Sequence, residues 1–185
     1  MSIVDHRRHS LRAKPGHDLN QAGVALARRV GAGEFGAVPA YDLVITSTVS
    51  RAFQTAIAMG FAVDEQYDEF ATMGAAVFAE CRWPCPIGGA ARVLLGSGPA
   101  AEYATWQAEL LTEIARRLPD DGAALVVSHG GIVEAGAVAL VPDADHESWG
   151  EAIGYVEGVR LHFDRERCSR VEMLRVPPSE YLVEN

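Results

Sequence analysis

Apolar and polar residues alternate along this chain in blocks whose period changes, and the changes mark its elements. Residues 3–6 read as a short strand, and the polar run Arg7-Arg8-His9-Ser10 follows at once. Lys14-Pro15-Gly16 sits in a loop spanning 11–18. Asn20 then caps a helix running to about Val30, with Leu19, Ala22, Leu26 and Val30 on one face, ended by Gly31 and Gly33. Residues 41–47 read as a buried strand centred on Leu43-Val44-Ile45. Ser50 is placed to cap a second helix over 51–59, stopped by Gly60. The segment 61–99, broken by Trp83-Pro84-Cys85-Pro86 and Gly88-Gly89, is expected to be a loop-rich insertion that keeps many apolar residues. A helix follows over 100–118, its core stripe read as Trp106, Leu110, Ile114 and Leu118. Pro119-Asp120-Asp121-Gly122 turns the chain into a strand at 123–128. His129-Gly130-Gly131 leads to an apolar helix near 132–140, and 155–164 and 170–176 read as two strands joined by a polar turn.

Strand–helix alternation on this scale implies an α/β fold: a three-layer αβα sandwich whose central sheet is mostly parallel, with helices on both faces. The 185 residues fit one domain, spanning 1–185. In such sheets ligands gather beyond the carboxyl ends of the strands. Three strands end there in polar groups: Arg8-His9-Ser10, Ser47 to Arg51, and Ser128-His129-Gly130.

Composition narrows the chemistry. A hydrophobic fraction of 49% and a charged fraction of 22% describe a folded, water-exposed protein. No apolar run of about 18 residues is present, so no membrane partner is expected. The charged start Asp5-His6-Arg7-Arg8 does not read as a signal peptide, and a cytoplasmic location is expected. A formal charge of −9 argues against a nucleic-acid partner, whose binding rests on Lys and Arg neutralising phosphates. Three cysteines, Cys81, Cys85 and Cys168, give no disulfide framework, and no neighbouring ligands complete a zinc site around the first two. No metal and no cofactor is expected.

An acidic protein that handles phosphate has to concentrate its cations locally. Two guanidiniums suit a tetrahedral oxyanion, because each offers a planar set of donors that never loses its charge. Arg51 falls in the first turn of its helix, where free N–H groups also favour an anion, and Ser47 adds a hydroxyl. A histidine attacks through a neutral ring nitrogen when a partner on the other nitrogen fixes the tautomer. Arginines nearby lower its pKa.

At these residues the chain resembles the histidine phosphatase superfamily, the fold of cofactor-dependent phosphoglycerate mutase. The quoted segments are Arg8-His9-Ser10, Leu19-Asn20-Gln21-Ala22-Gly23, Ser47-Thr48-Val49-Ser50-Arg51-Ala52-Phe53-Gln54-Thr55-Ala56, and Val127-Ser128-His129-Gly130-Gly131. The resemblance implies a metal-independent phosphomonoester phosphatase with His9 as nucleophile and Arg8, Arg51 and His129 on the phosphate. It implies an acidic proton donor after the second arginine. Glu69, in Tyr67-Asp68-Glu69-Phe70 ahead of Gly74, is the candidate, with Asp68 and Glu80 as alternatives. The implied partner is a small phosphorylated substrate or a phosphoprotein. The alternatives are a phosphohistidine protein phosphatase and a non-catalytic phosphate-binding scaffold of the same fold. Two departures stand out. Ser10 replaces the usual glycine or alanine, and is expected to narrow the pocket or bond substrate. Asp5-His6-Arg7 is more polar than an apolar first strand: either Arg7 and His6 line the pocket's edge, or the strand lies near solvent. The remaining histidines, His6, His17, His146 and His162, are expected at the surface.

Overall fold

The computed structural model describes residues 1–181. Its elements run β1 (Ser2–Arg8), α1 (Gln21–Gly31), β2 (Leu43–Ser47), α2 (Ser50–Ala58), β3 (Glu65–Tyr67), α3 (Gly74–Cys81), α4 (Ile87–Leu94), α5 (Pro99–Arg116), β4 (Ala123–Ser128), α6 (Ile132–Leu140), β5 (Gly158–Asp164) and β6 (Arg167–Leu174). The strands form one sheet in the order β3-β2-β4-β1-β5-β6. β3, β2, β4 and β1 are mutually parallel, and the β5–β6 hairpin closes the sheet antiparallel to β1.

β4 is buried on both faces, and its alternation divides the core in two. Leu125 and Val127 pack with Leu26, Val30, Ala52 and Ala56 of α1 and α2. Ala124 and Val126 face the other way, into the core formed with Leu111 and Ile114 of α5 and Val133 and Ala137 of α6. Helices therefore cover both faces, as the alternating pattern requires. Parallel register then aligns the strand ends, pairing Arg8 with Ser128 and Ser47 with Tyr67, so the polar residues after β1, β2 and β4 emerge at one edge.

Several expectations change. The segment 61–99 is not loop-rich: it holds β3, a 3₁₀ turn at Asp68–Phe70, and the eight-residue helices α3 and α4. Pro84, Pro86 and Gly88-Gly89 read as breakers, but they fall between or at the start of these helices, and tertiary packing stabilises both helices. Val77, Cys81, Ile87, Ala91 and Leu94 all enter the core. Trp106 is not core; it is 42% exposed. Steps of four residues drift by about 40° on an α-helix, so the stripe through Trp106 spirals off the buried face. That face is instead Tyr103, Ala104, Gln107, Leu111, Ile114 and Ala115. Ser50 begins α2 without capping it by its side chain, while the Val49 N–H donates to Ser47 Oγ at 3.2 Å.

Asp5-His6-Arg7 takes neither expected place, since all three side chains are buried. Burying charge is tolerable when it is paired and hydrogen-bonded. Asp5 accepts from Arg160 Nε at 2.7 Å, Arg160 Nη2 at 2.8 Å and the Tyr41 hydroxyl at 2.6 Å. Arg7 Nη1 donates to the Val156 carbonyl at 2.8 Å. His6 projects to the opposite face, its Nε2 2.6 Å from Ser128 Oγ. His6 and His146 are thus interior residues and His162 is half-buried, while His17 is exposed as expected.

Candidate active site

The loop after β1, the first turn of α2 and the loop after β4 bring His9, Arg51 and His129 together. The rings of His9 and His129 lie 5.0 Å apart, edge to face at 65°. Arg51 bridges them, donating from Nε to His9 Nε2 at 2.9 Å and from Nη2 to His129 Nδ1 at 3.1 Å. His9 Nδ1 is 2.7 Å from the Ser10 carbonyl. A carbonyl only accepts, so the proton sits on Nδ1, and Nε2 carries its lone pair toward Arg51. By the same reasoning His129 accepts at Nδ1 and donates from Nε2 to Ser47 Oγ at 3.0 Å.

Burial is the largest cause holding both rings neutral. It pushes His9 down to about 2, opposed by the Ser10 carbonyl and reinforced by His129, Arg51 and Arg8. His129 falls to about 3 through burial and then the two arginines. His6, fully buried beneath Ser128, is also lowered to about 3 by burial and then by His129. The arginines thus contribute, as the sequence led one to expect, but desolvation outweighs them.

Arg8 is held rather than left to swing. Its Nη1 donates to the Ile153 carbonyl at 2.8 Å. The Tyr155 ring lies 4.3 Å from its guanidinium carbon and the Trp83 ring 5.1 Å. Tyr155 also approaches His9, with centroids 5.9 Å apart.

Ser10 does not enter the pocket. It is fully buried, its Oγ donating to the Gly23 carbonyl at 2.7 Å, and its N–H donates to Thr55 Oγ1 at 2.9 Å. Thr55 in turn donates to the Arg51 carbonyl at 2.7 Å. The serine therefore fastens the loop that carries His9 to α1 and α2. Gly23 is required for this approach, because a Cβ there would lie 2.1 Å from the Leu11 carbonyl oxygen. Gln54 adds a second tie, accepting from the Leu19 N–H at 2.7 Å and donating to Asp18 at 2.8 Å.

The acidic candidates separate. Glu69 is exposed in the 3₁₀ turn after β3, and among the described residues its carboxylate has no hydrogen-bond partner; its backbone carbonyl accepts from Gln107 at 3.1 Å. Asp68 accepts from Thr48 Oγ1 at 2.7 Å, which ties it to the residue after Ser47. Glu80 instead caps α5, accepting from the Ala100 N–H at 2.9 Å. The structure thus assembles Arg8, His9, Arg51, His129 and Ser47, brings Asp68 to their border, and engages Glu80 elsewhere.

Sequence reasoning missed Trp83, Tyr155 and the Ile153 carbonyl, three of the groups that hold Arg8. Trp83 was read only as a breaker within the 61–99 segment. The cysteines Cys81, Cys85 and Cys168 are free thiols, and Cys85 Sγ donates to the Cys81 carbonyl at 3.3 Å. Among the described residues no helix is long and apolar enough to cross a membrane.

No family profile and no curated protein matches the sequence. Solved structures do match across nearly the whole chain. Phosphoserine phosphatase from Entamoeba histolytica, in complex with 3-phosphoglyceric acid, is 16% identical at a TM-score of 0.64, over 95% of this chain and 98% of that one. A mycobacterial glucosyl-3-phosphoglycerate phosphatase complexed with vanadate (VO3) is 18% identical at 0.60, over 92% and 96%. A Thermus thermophilus protein is 20% identical at 0.57, over 94% and 99%. At identities this low the likeness establishes the fold alone, a phosphoglycerate mutase-like architecture.

Proposed function

From this fold and this pocket we propose that the chain is a metal-independent phosphatase that hydrolyses phosphomonoesters of small metabolites through a phosphohistidine on His9. The observation that carries the reading is the Arg51 bridge: one guanidinium donates to the lone pairs of two neutral imidazoles 5.0 Å apart. Such a cluster offers cationic donors around an unprotonated nucleophile. The complexes of the fold's neighbours with 3-phosphoglyceric acid and vanadate support it.

In this mechanism the phosphate oxygens take over the Arg51 donors, which frees His9 Nε2. Arg8 adds its guanidinium, and His129 Nδ1, which otherwise accepts from Arg51, accepts from the P–OH of a phosphate bound as its monoanion. His9 Nε2 attacks phosphorus, forming the N–P bond as the ester P–O bond breaks. The leaving oxygen takes a proton from Glu69, in the turn after β3, with Asp68, tied to Thr48, as the competing donor. Water then attacks the phosphoryl group; its proton returns to the carboxylate, the N–P bond breaks, and His9 regains its lone pair with Nδ1–H still on Ser10. Positioning and charge stabilisation carry most of the rate.

The test is a screen of phosphorylated metabolites and phosphohistidine peptides with EDTA present. Turnover of phosphomonoesters that survives EDTA is expected. Turnover confined to phosphohistidine peptides would assign the protein-phosphatase role instead, and phosphate binding with no turnover would assign the scaffold role. A compartment in the cytoplasm belongs to the same reading, tested by localising a tagged chain.

A further inference from the structure

Glu134 lies in the first turn of α6, five residues after His129, almost fully buried at 2% exposure. Its Oε2 accepts from the Gly131 N–H at 2.6 Å, an ordinary arrangement at a helix start. Its Oε1 does something a helix cap does not require. It accepts from the Ile153 N–H at 2.9 Å and from Trp83 Nε1 at 3.2 Å. Both donors belong to segments remote in sequence, and both segments hold Arg8: Ile153 through its carbonyl, Trp83 through its ring. The Trp83 ring also rests on Gly130, where a Cβ would come within 2.3 Å of it. One carboxylate therefore joins the loop after β4, the Ile153 turn and the cap contributed by the 61–99 segment.

We propose that Glu134 is a positioning residue for Arg8, fixing from behind the direction in which that guanidinium meets the phosphate. This rests on the phosphatase reading and adds to it a residue that never touches substrate. Three donors converge on its two carboxylate oxygens. In Glu134→Gln one of those oxygens becomes an NH₂ group, so Gly131 or the Ile153–Trp83 pair faces a donor. The Ile153 turn then shifts, and Arg8 with it. A displacement on the order of 1 Å in such a contact costs up to about a hundredfold.

The experiment measures vanadate affinity by calorimetry and steady-state turnover of p-nitrophenyl phosphate for the wild type, Glu134→Gln, Arg8→Ala and the double variant, with Glu113→Gln as exposed control. Glu134→Gln is expected to weaken vanadate binding and kcat/KM by about tenfold to a hundredfold. It is expected to add little once Arg8 is gone, because the two act as one unit. Losses that simply add, or a lower melting temperature with vanadate affinity intact, overturn the inference and leave Glu134 a helix cap. Should Glu134→Gln fail to fold, Trp83→Phe carries the test: it removes one donor and keeps an aromatic ring over Arg8. A several-fold loss that vanishes in the Arg8→Ala background supports the proposal, and unchanged affinity refutes it. A wild type that binds no vanadate overturns the phosphatase reading and this inference together, whereas full binding by the variants overturns this inference alone.

Discussion

Three buried neutral imidazoles make the fold sensitive to mild acid. His6 and His129 are lowered to about 3 and His9 to about 2, while in the unfolded chain each titrates near 6.5. Above 6.5 both states bind no proton there, and the groups contribute nothing to pH dependence. Below 6.5 the unfolded chain takes up protons that the native state refuses, so stability falls with pH until the native rings titrate near 2–3. At pH 5 each histidine costs about 2 kcal/mol, or about 6 kcal/mol for the three. That is the scale of a whole domain's stability, about 5–15 kcal/mol. The window between pH 6.5 and 5 lies above the ordinary carboxylate range, so the loss reports histidines. Urea unfolding at several pH values measures it. His6→Asn, which keeps a polar partner for Ser128, should remove about a third of the slope. A total loss at pH 5 no greater than one histidine's share, about 2 kcal/mol, would show that the three rings are not jointly held neutral in a desolvated interior.

Arg51→Lys keeps the charge but cannot donate to both rings, and kcat should fall by about 10²–10³-fold toward p-nitrophenyl phosphate; wild-type rates would place Arg51 outside the reaction. Glu69→Gln should slow alkyl phosphates by about 10²–10⁴-fold and leave p-nitrophenyl phosphate nearly untouched, because only a poor leaving group needs the proton. The same selectivity in Asp68→Asn, and not in Glu69→Gln, would move the acid role to Asp68. Ser10→Ala should cost about 1 kcal/mol in urea unfolding through the lost Gly23 bond, with KM unchanged; a raised KM with unchanged stability would return Ser10 to the pocket.

The site was legible because its residues stand where the pattern changes period. Arg8, Ser47 and Ser128 are the last residues of three parallel strands, so the topology that the pattern implied delivers them to one edge. β4 and α6 fall where the apolar blocks placed them, bounded by Gly122 and by His129-Gly130-Gly131. What the pattern could not carry is pairing at a distance. Asp5 reads as a solvent residue until Arg160 and Tyr41, remote in sequence, satisfy it. Ser10 reads as a pocket group until Gly23 takes its hydroxyl. Tyr155 reads as the start of a strand that in fact begins at Gly158, Ile153 precedes it, and only the fold sets them against Arg8. Trp106 failed for a different reason: a four-residue repeat tracks a helix approximately, and the drift carries its large ring out to solvent.

The measurement closest to the central claim is a rapid quench of enzyme and phosphomonoester in base, where a phosphoramidate survives, followed by mass analysis of the peptide containing His9. The account predicts a phosphoryl group on that peptide, removed by acid, absent in His9→Ala, and formed as fast as the substrate turns over. Undiminished turnover in His9→Ala, or a phosphoryl group on any other residue of the wild type, would contradict it.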